Sequence, residues 1–209
     1  MKIKLFLILL IILVFVPMDA IAQKSGEIVF SKSMINPENP TGLTTQFQSG
    51  DHIYSVAFLE SSILGIIGKE AAEKVPVEVF IYELKAPLYD YQQPSEMQLV
   101  TSTLWVSGDA LQQKYLSLDI IPGADKLTAY NNDELIYKKF GPRFDGPVTF
   151  AERMSRLEAG EHTIIVKLKC NYNVVAEGQF IISGDDYTVY KNTSQELNDF
   201  ATGAKTKSA

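Results

Sequence analysis

The sequence predicts an all-β chain: an antiparallel β-sandwich carrying one to three short helices. Three observations predict it. Apolar and polar residues alternate over many short runs, the period of a strand with one buried face. Clusters of Gly, Asp, Asn and Pro, residues that tolerate or enforce turn geometry, separate those runs at short intervals. Helical periodicity is scarce. Of 209 residues, 46% are hydrophobic and 21% charged, a balance that permits a packed core and excludes a wholly disordered chain.

The pattern predicts strands over 27–32, 53–59, 75–84, 98–106, 114–121 and 135–140. In 75–84, Val77, Val79 and Ile81 oppose Glu78, Phe80 and Tyr82. Both faces are largely apolar, as a central strand requires. In 162–170, Ile164, Val166, Leu168 and Cys170 share one face against Thr163, Lys167 and Lys169, with Ile165 the exception. Asn171-Tyr172-Asn173 follows as a turn. Val174, Ala176, Gly178, Phe180 and Ile182 then repeat the pattern opposite Glu177 and Gln179, completing an antiparallel hairpin. Ser-Gly-Asp recurs at 49–51, 107–109 and 183–185; the flanks do not match, so these are recurrent turns rather than a repeat. Further turns are expected at Pro122–Asp125 and Asn131–Asp133.

Three short helices are expected. Thr149-Phe150-Ala151-Glu152 has the spacing of a capping box, with Pro147 before it and Gly160 beyond, and predicts a helix over 150–158. Ala71 and Ala72 favour a second over 68–74, and a third is expected over 194–200, ahead of a small, polar tail expected to fray. Between two strands, Ile63, Leu64, Ile66 and Ile67 crowd against Gly65 and Gly68. The favoured expectation is a short cap plugging one open end of the sandwich. The alternative is a contact surface for a partner or membrane.

The chain opens with Met1-Lys2-Ile3-Lys4, an unbroken apolar run from Leu5 to Val16, and Ala20-Ile21-Ala22 before Gln23. Basic, apolar and small segments in that order predict a secretory signal peptide, the apolar run being short for a membrane span. Removing it shifts the net charge from −6 to −7. No later apolar stretch is long enough to span a bilayer. The expected organisation is a signal peptide over 1–22, one elaborated sandwich over 23–190, and a short helix with a tail over 191–209. Two small sandwiches split near residue 110 are the alternative. The expected location is periplasmic or extracellular. A single cysteine leaves no internal disulfide, which for an exported chain points to a bacterial host. The acceptor pattern Asn192-Thr193-Ser194 matters only in a eukaryotic secretory pathway.

Leu157-Glu158-Ala159-Gly160-Glu161-His162-Thr163-Ile164-Ile165-Val166, with its hairpin return, resembles the late strands of immunoglobulin-like β-sandwich domains of exported bacterial proteins. The resemblance covers residues 150–183 and implies an antiparallel immunoglobulin-like sandwich, without implying a function. The chain departs from antibody domains in lacking paired cysteines, and Trp105 lies far from Cys170 in sequence.

Chemistry-bearing patterns are few. An acidic chain without clustered Lys and Arg is a poor nucleic-acid binder. No Gly-x-Ser-x-Gly, His-Glu-x-x-His, P-loop or dinucleotide glycine fingerprint occurs, and no catalytic residue, metal or cofactor is expected. Cys170 sits at the inward parity of its strand and reads as a core thiol. His52 and His162 each begin a strand beside an acid, Asp51 and Glu161, and are expected at the surface. Asp51, Asp109, Asp125, Asp133, Asp145, Asp185 and Asp186 fall at turns and read as turn-formers.

The segment Pro87–Pro94 sets Tyr89, Asp90, Tyr91, Gln92 and Gln93 between prolines. Tyrosine faces stack on apolar sugar faces or on a protein, while Asp and Gln bond hydroxyls. The favoured expectation nonetheless folds both tyrosines back onto the sandwich rim, with the binding face as the alternative. The leading functional expectation is therefore a non-enzymatic binding or interaction module of the bacterial envelope, its partner an envelope protein or a glycan. The alternatives are a carboxylate-based polysaccharide hydrolase and a structural envelope component assembling through sheet edges. Protein recovered from the envelope should begin at Gln23, as N-terminal sequencing would read; recovery of chains beginning at Met1 or Lys2 would contradict export by cleavage.

Overall fold

The computed structural model describes residues 25–87, 89, 91–124, 135–137, 139–140 and 143–202. Along the chain run β1 (Ile28–Ser31), β2 (Gln46–Gln48), β3 (Ile53–Phe58), α1 (Ile63–Ile67), β4 (Lys74–Lys85) and β5 (Ser95–Ser107). A 3-10 turn (Gly108–Gln112) precedes β6 (Tyr115–Ile121), β7 (Leu135–Tyr137), β8 (Lys139–Phe140) and β9 (Arg143–Phe144). Then come α2 (Pro147–Met154), β10 (Gly160–Cys170), β11 (Asn173–Gly184) and α3 (Val189–Ala201).

The chain is mostly β. The larger sheet has the order β2-β11-β10-β4-β5-β7, the smaller β1-β3-β6, and β8 and β9 form a two-stranded ribbon. β4 lies centrally, as its two apolar faces predict. Its register against β10 sets Val79 opposite Leu168 and Ile81 opposite Val166. The inward parity of both strands is thereby buried, Cys170 included. Phe30, Ile53, Ala57 and Leu118 of the smaller sheet join the same core cluster. β3 is buried along its whole length, so both faces of the smaller sheet are covered; α2 packs on β6, and α3 packs on α2.

The first strands change sheets. β1 pairs antiparallel with β3, Glu27 bridges to Glu177, and β2 then runs parallel to β11 at Ile181–Ser183. This crossing requires backbone to approach backbone, and Gly178 makes room for it. A Cβ there would lie 2.2 Å from the carbonyl oxygen of Ile28.

Several expected boundaries shift for identifiable reasons. The capping box does not form. Pro147, whose fixed φ and missing N–H suit the first helical position, starts α2 two residues ahead of Thr149. The Thr149 hydroxyl donates instead to Asp145 (3.0 Å) or the Gly146 carbonyl (2.9 Å), and Glu152 pairs with Arg156. The helix expected over 68–74 lies earlier: the Ser62 hydroxyl accepts from the Gly65 amide, and Gly68, at φ 66°, ends α1 rather than beginning a helix. The third helix extends back to Val189.

The run 135–140 divides, β7 pairing with β5 and β8 with β9. The β10–β11 turn is tighter than expected: Asn171 and Tyr172 both take positive φ, the two-residue geometry that follows strand twist, and Asn173 belongs to β11. Of the Ser-Gly-Asp copies, the last ends a strand instead of turning, and its Ser183 carbonyl accepts from the Ser49 amide of the first (2.8 Å). The turn expected at Asn131–Asp133, and Asp125 beside it, lie outside the described residues.

Replacing Gly178 by Ala should lower stability by about 1–3 kcal/mol, the usual cost of forcing atoms into a packed site. Urea unfolding of the two proteins measures it, and an unchanged midpoint would show that β1 and β11 separate readily.

Candidate functional site

β4 and β5 form the longest hairpin of the larger sheet, paired from Lys74↔Ser107 to Lys85↔Ser95. Residues 86–94 make its tip. The Gln92 amide donates to the Tyr89 carbonyl (2.9 Å), closing a turn that sets Tyr89 and Tyr91 side by side. Their rings are parallel and stacked, with planes 2° apart and centroids at 5.5 Å. At 58% and 81% exposed, neither folds back onto the rim. Gln92 and Gln93 are exposed beside them, and Asp90 lies outside the described residues.

The apolar segment after β3 behaves as a cap. Ile63 is completely buried; Leu64, Ile66 and Ile67 are partly buried against the same core.

A buried polar cluster lies beyond what sequence reasoning found. Glu83 stands at the inward parity of β4 and is only 3% exposed. Lys85 Nζ donates to its Oε1 (2.5 Å), and His162 Nδ1 lies 2.7 Å from the same oxygen. His162 Nε2 lies 2.8 Å from the Glu158 carbonyl; a carbonyl only accepts, so this nitrogen carries the hydrogen. The imidazole packs edge-on against Tyr187, whose hydroxyl reaches the carbonyls of Gly160 and Ile182. His162 is thus largely enclosed and partnered by Glu83, correcting the expected surface position beside Glu161; His52 is exposed as expected. The one signal available was a carboxylate at core parity after Val77, Val79 and Ile81. Burial pushes the Glu83 carboxyl up, but the hydrogen bonds from Lys85 and His162 outweigh it and hold the group below its ordinary value. Beside this cluster opens a cavity of about 350 Å³, into which Arg153 and Arg156 also face.

The outward face of the larger sheet carries a second set of aromatics. Phe80 stacks on Tyr82, with Lys169 over Phe80 at 4.2 Å and Lys167 over Tyr82 at 5.4 Å. Lys74 lies over Trp105 at 5.1 Å, and Lys167 pairs with Glu96 and Glu177. The Glu96 contact chiefly raises the Lys167 ammonium value, against the opposing effect of burial. These rings are covered by their own lysines, unlike the tyrosines of the tip.

The described turn aspartates include several with local backbone roles. Asp51 accepts from the Gln48 amide and from Lys32, and Asp186 from the Thr188 amide. Asp133, like Asp125, lies outside the described residues. No group of three or more His, Cys, Asp or Glu among the described residues is placed to hold a metal. No helix among them is long and apolar enough to cross a membrane.

No protein-family model matches the chain, and no curated protein matches its sequence. Among solved structures, the chain is similar to a β-glucosidase from Listeria innocua, in complex with glucose (TM-score 0.28, 11% identity) and with isofagomine (TM-score 0.27, 12% identity). Each match covers 77% of this chain and only 16% of the glucosidase. Likeness at that level supports no argument about fold or activity.

A carboxyl held below its ordinary value stabilises the fold above the unfolded-state pKa of about 4.3, and that contribution disappears as pH falls through the lowered folded value. Glu83→Gln should cost about 1–3 kcal/mol at pH 7 and should flatten the loss of stability between neutral and strongly acidic pH. Thermal unfolding across that range checks both; identical pH slopes would show that Glu83 does not titrate below its ordinary value.

Proposed function

We propose that this chain is an exported, non-enzymatic binding module of the bacterial cell envelope that takes a glycan on the β4–β5 tip. The observation that carries the reading is the exposed pair Tyr89 and Tyr91, stacked on one another at the tip. Stacking holds each ring in place, and an outer ring face left exposed by the stack matches the flat apolar face of a sugar. Pro87 and Pro94 flank them, limiting the conformational freedom lost on binding. Gln92 and Gln93 supply amides for hydroxyls.

The proposed scaffold is one immunoglobulin-like sandwich. Its support is the strand order, β1-β3-β6 against β2-β11-β10-β4-β5, with the first strand divided between sheets and β2 parallel to β11. Export rests on the opening basic, apolar and small segments.

Assembly with an envelope protein through a sheet edge is the second reading. β5 pairs with β7 only over Leu104–Val106, leaving Ser95–Thr103 without a second strand partner among the described residues. Such an edge accepts an added strand through backbone hydrogen bonds.

Changing Tyr89 and Tyr91 together to Ala should leave stability within about 0.5 kcal/mol. The same change should weaken retention on envelope polysaccharide by about tenfold or more, through loss of the stacking contact. Affinity electrophoresis against cell-wall glycans checks it; unchanged retention of the variant, or no retention of the parent chain, overturns the glycan reading.

A further inference from the structure

We propose that the cavity beside Glu83 and His162 is an anion subsite, so that the glycan of the reading above, on which this inference rests, carries carboxylate or sulfate groups. The cavity, of about 350 Å³, is lined by Lys85 of β4, by Arg153 in the last turn of α2 and by Arg156 two residues past its end. Arg153 and Arg156 are three residues apart, a spacing that sets side chains on one face of a helical turn. Arg153 forms no ion pair among the described residues, while Arg156 pairs with Glu152 (2.7 Å) and keeps donors to spare.

Of the two carboxylates in the lining, Glu83 is buried and already engaged by Lys85 and His162, so it presents little charge to an incoming anion. Lys85 is offset by the same pair; the other carboxylate, Glu158, is exposed, and the lining holds three Lys or Arg against two carboxylates, an excess of one. Such a local positive excess is notable on a chain of net charge −6. Arg156 also lines a neighbouring cavity of about 230 Å³, which adds Lys191 and Glu152, the carboxylate that Arg156 pairs with. With Glu152 held by Arg156, Lys191 is the one further cation past the first cavity among the described residues that line the second. Guanidinium groups offer paired N–H donors whose geometry matches the two oxygens of a carboxylate or sulfate.

Position links this cavity to the tyrosines. Lys85 is paired with Ser95 at the last rung of the hairpin, and Tyr89 follows four residues on, so the chain keeps the two within about 14 Å at most. One short oligosaccharide thus spans both, its sugar faces on the tip and an acidic group at the arginines. Neither half is legible alone: the tip names a sugar, and the cavity names its charge.

The experiment measures calorimetric binding of the mature chain to an oligogalacturonate, to a sulfated dextran and to an uncharged cello-oligosaccharide, each at low and at physiological salt. The parent chain should prefer at least one acidic probe to the neutral one by about tenfold or more, with affinity falling as salt rises. Arg153→Gln, which breaks no ion pair among the described residues, should lower acidic binding by about threefold or more. Adding Arg156→Gln should remove the preference and its salt dependence while neutral binding and the melting temperature hold. Which acidic probe is preferred distinguishes carboxylate from sulfate. Equal affinity for charged and neutral probes, or an acidic preference that survives both changes, overturns the anion subsite and leaves the glycan reading standing. Loss of neutral binding together with acidic binding in the double variant overturns it as well, since the arginines would then hold the sugar itself. Acidic binding that persists in the Tyr89→Ala, Tyr91→Ala protein but not in the arginine variant supports the cavity and removes the tip. No binding of any probe overturns both.

Discussion

The register of β4 on β10 is the constraint on which the rest depends. Pairing Ile81 with Val166 and Val79 with Leu168 sends one parity of each strand into the core. Side chains alternate with a period of two, so a slip of one residue would turn Lys167 and Lys169 inward and expose Leu168 and Cys170. The same register sets Glu83 opposite Ile164, with His162 the next residue of inward parity along β10. The core and the buried Glu83–His162 contact are therefore products of one alignment. A change that stabilised another register would lose both together.

Burying a carboxylate is costly unless its charge and lone pairs find partners. Glu83 meets that requirement with Lys85 from its own strand and His162 from the next, while the imidazole's other nitrogen is held by the Glu158 carbonyl. The cluster thereby ties β4, β10 and the connection between α2 and β10 at one place. It also lines the cavity that the end of α2 lines with it. A polar network at the end of two central strands thus shapes the surface above it.

The two aromatic groups of the hairpin differ in what covers them. Phe80 and Tyr82 lie flat on the sheet, where neighbouring strands of the same face supply Lys167 and Lys169, whose stems and charges occupy the rings. Tyr89 and Tyr91 lie past the last rung of the hairpin and stay exposed, with no strand among the described residues pairing beside them. Length beyond the sheet, rather than residue type, separates a packed aromatic from one open to a ligand.

The sequence by itself determined the β character of the chain, the hairpin from β10 to β11 and the inward parity that buries Cys170. These are local properties: strand periodicity and turn chemistry are written within a few neighbouring residues. It also marked the tyrosine-bearing segment and the apolar cap, though it did not decide which tyrosine faces stay open or that Ile63 is fully enclosed. The extent of helices was less legible where two signals competed, as when Pro147 overrode the capping pattern at Thr149 and Gly68 ended a helix instead of starting one. Tertiary structure alone decided what depends on distant partners. Glu83 and His162 meet across 79 positions, Gly178 is required because β1 crosses its backbone, and Arg153 joins Lys85 only because α2 ends beside the start of β5. Local pattern fixes which face a side chain takes; only the pairing of strands fixes what it meets there.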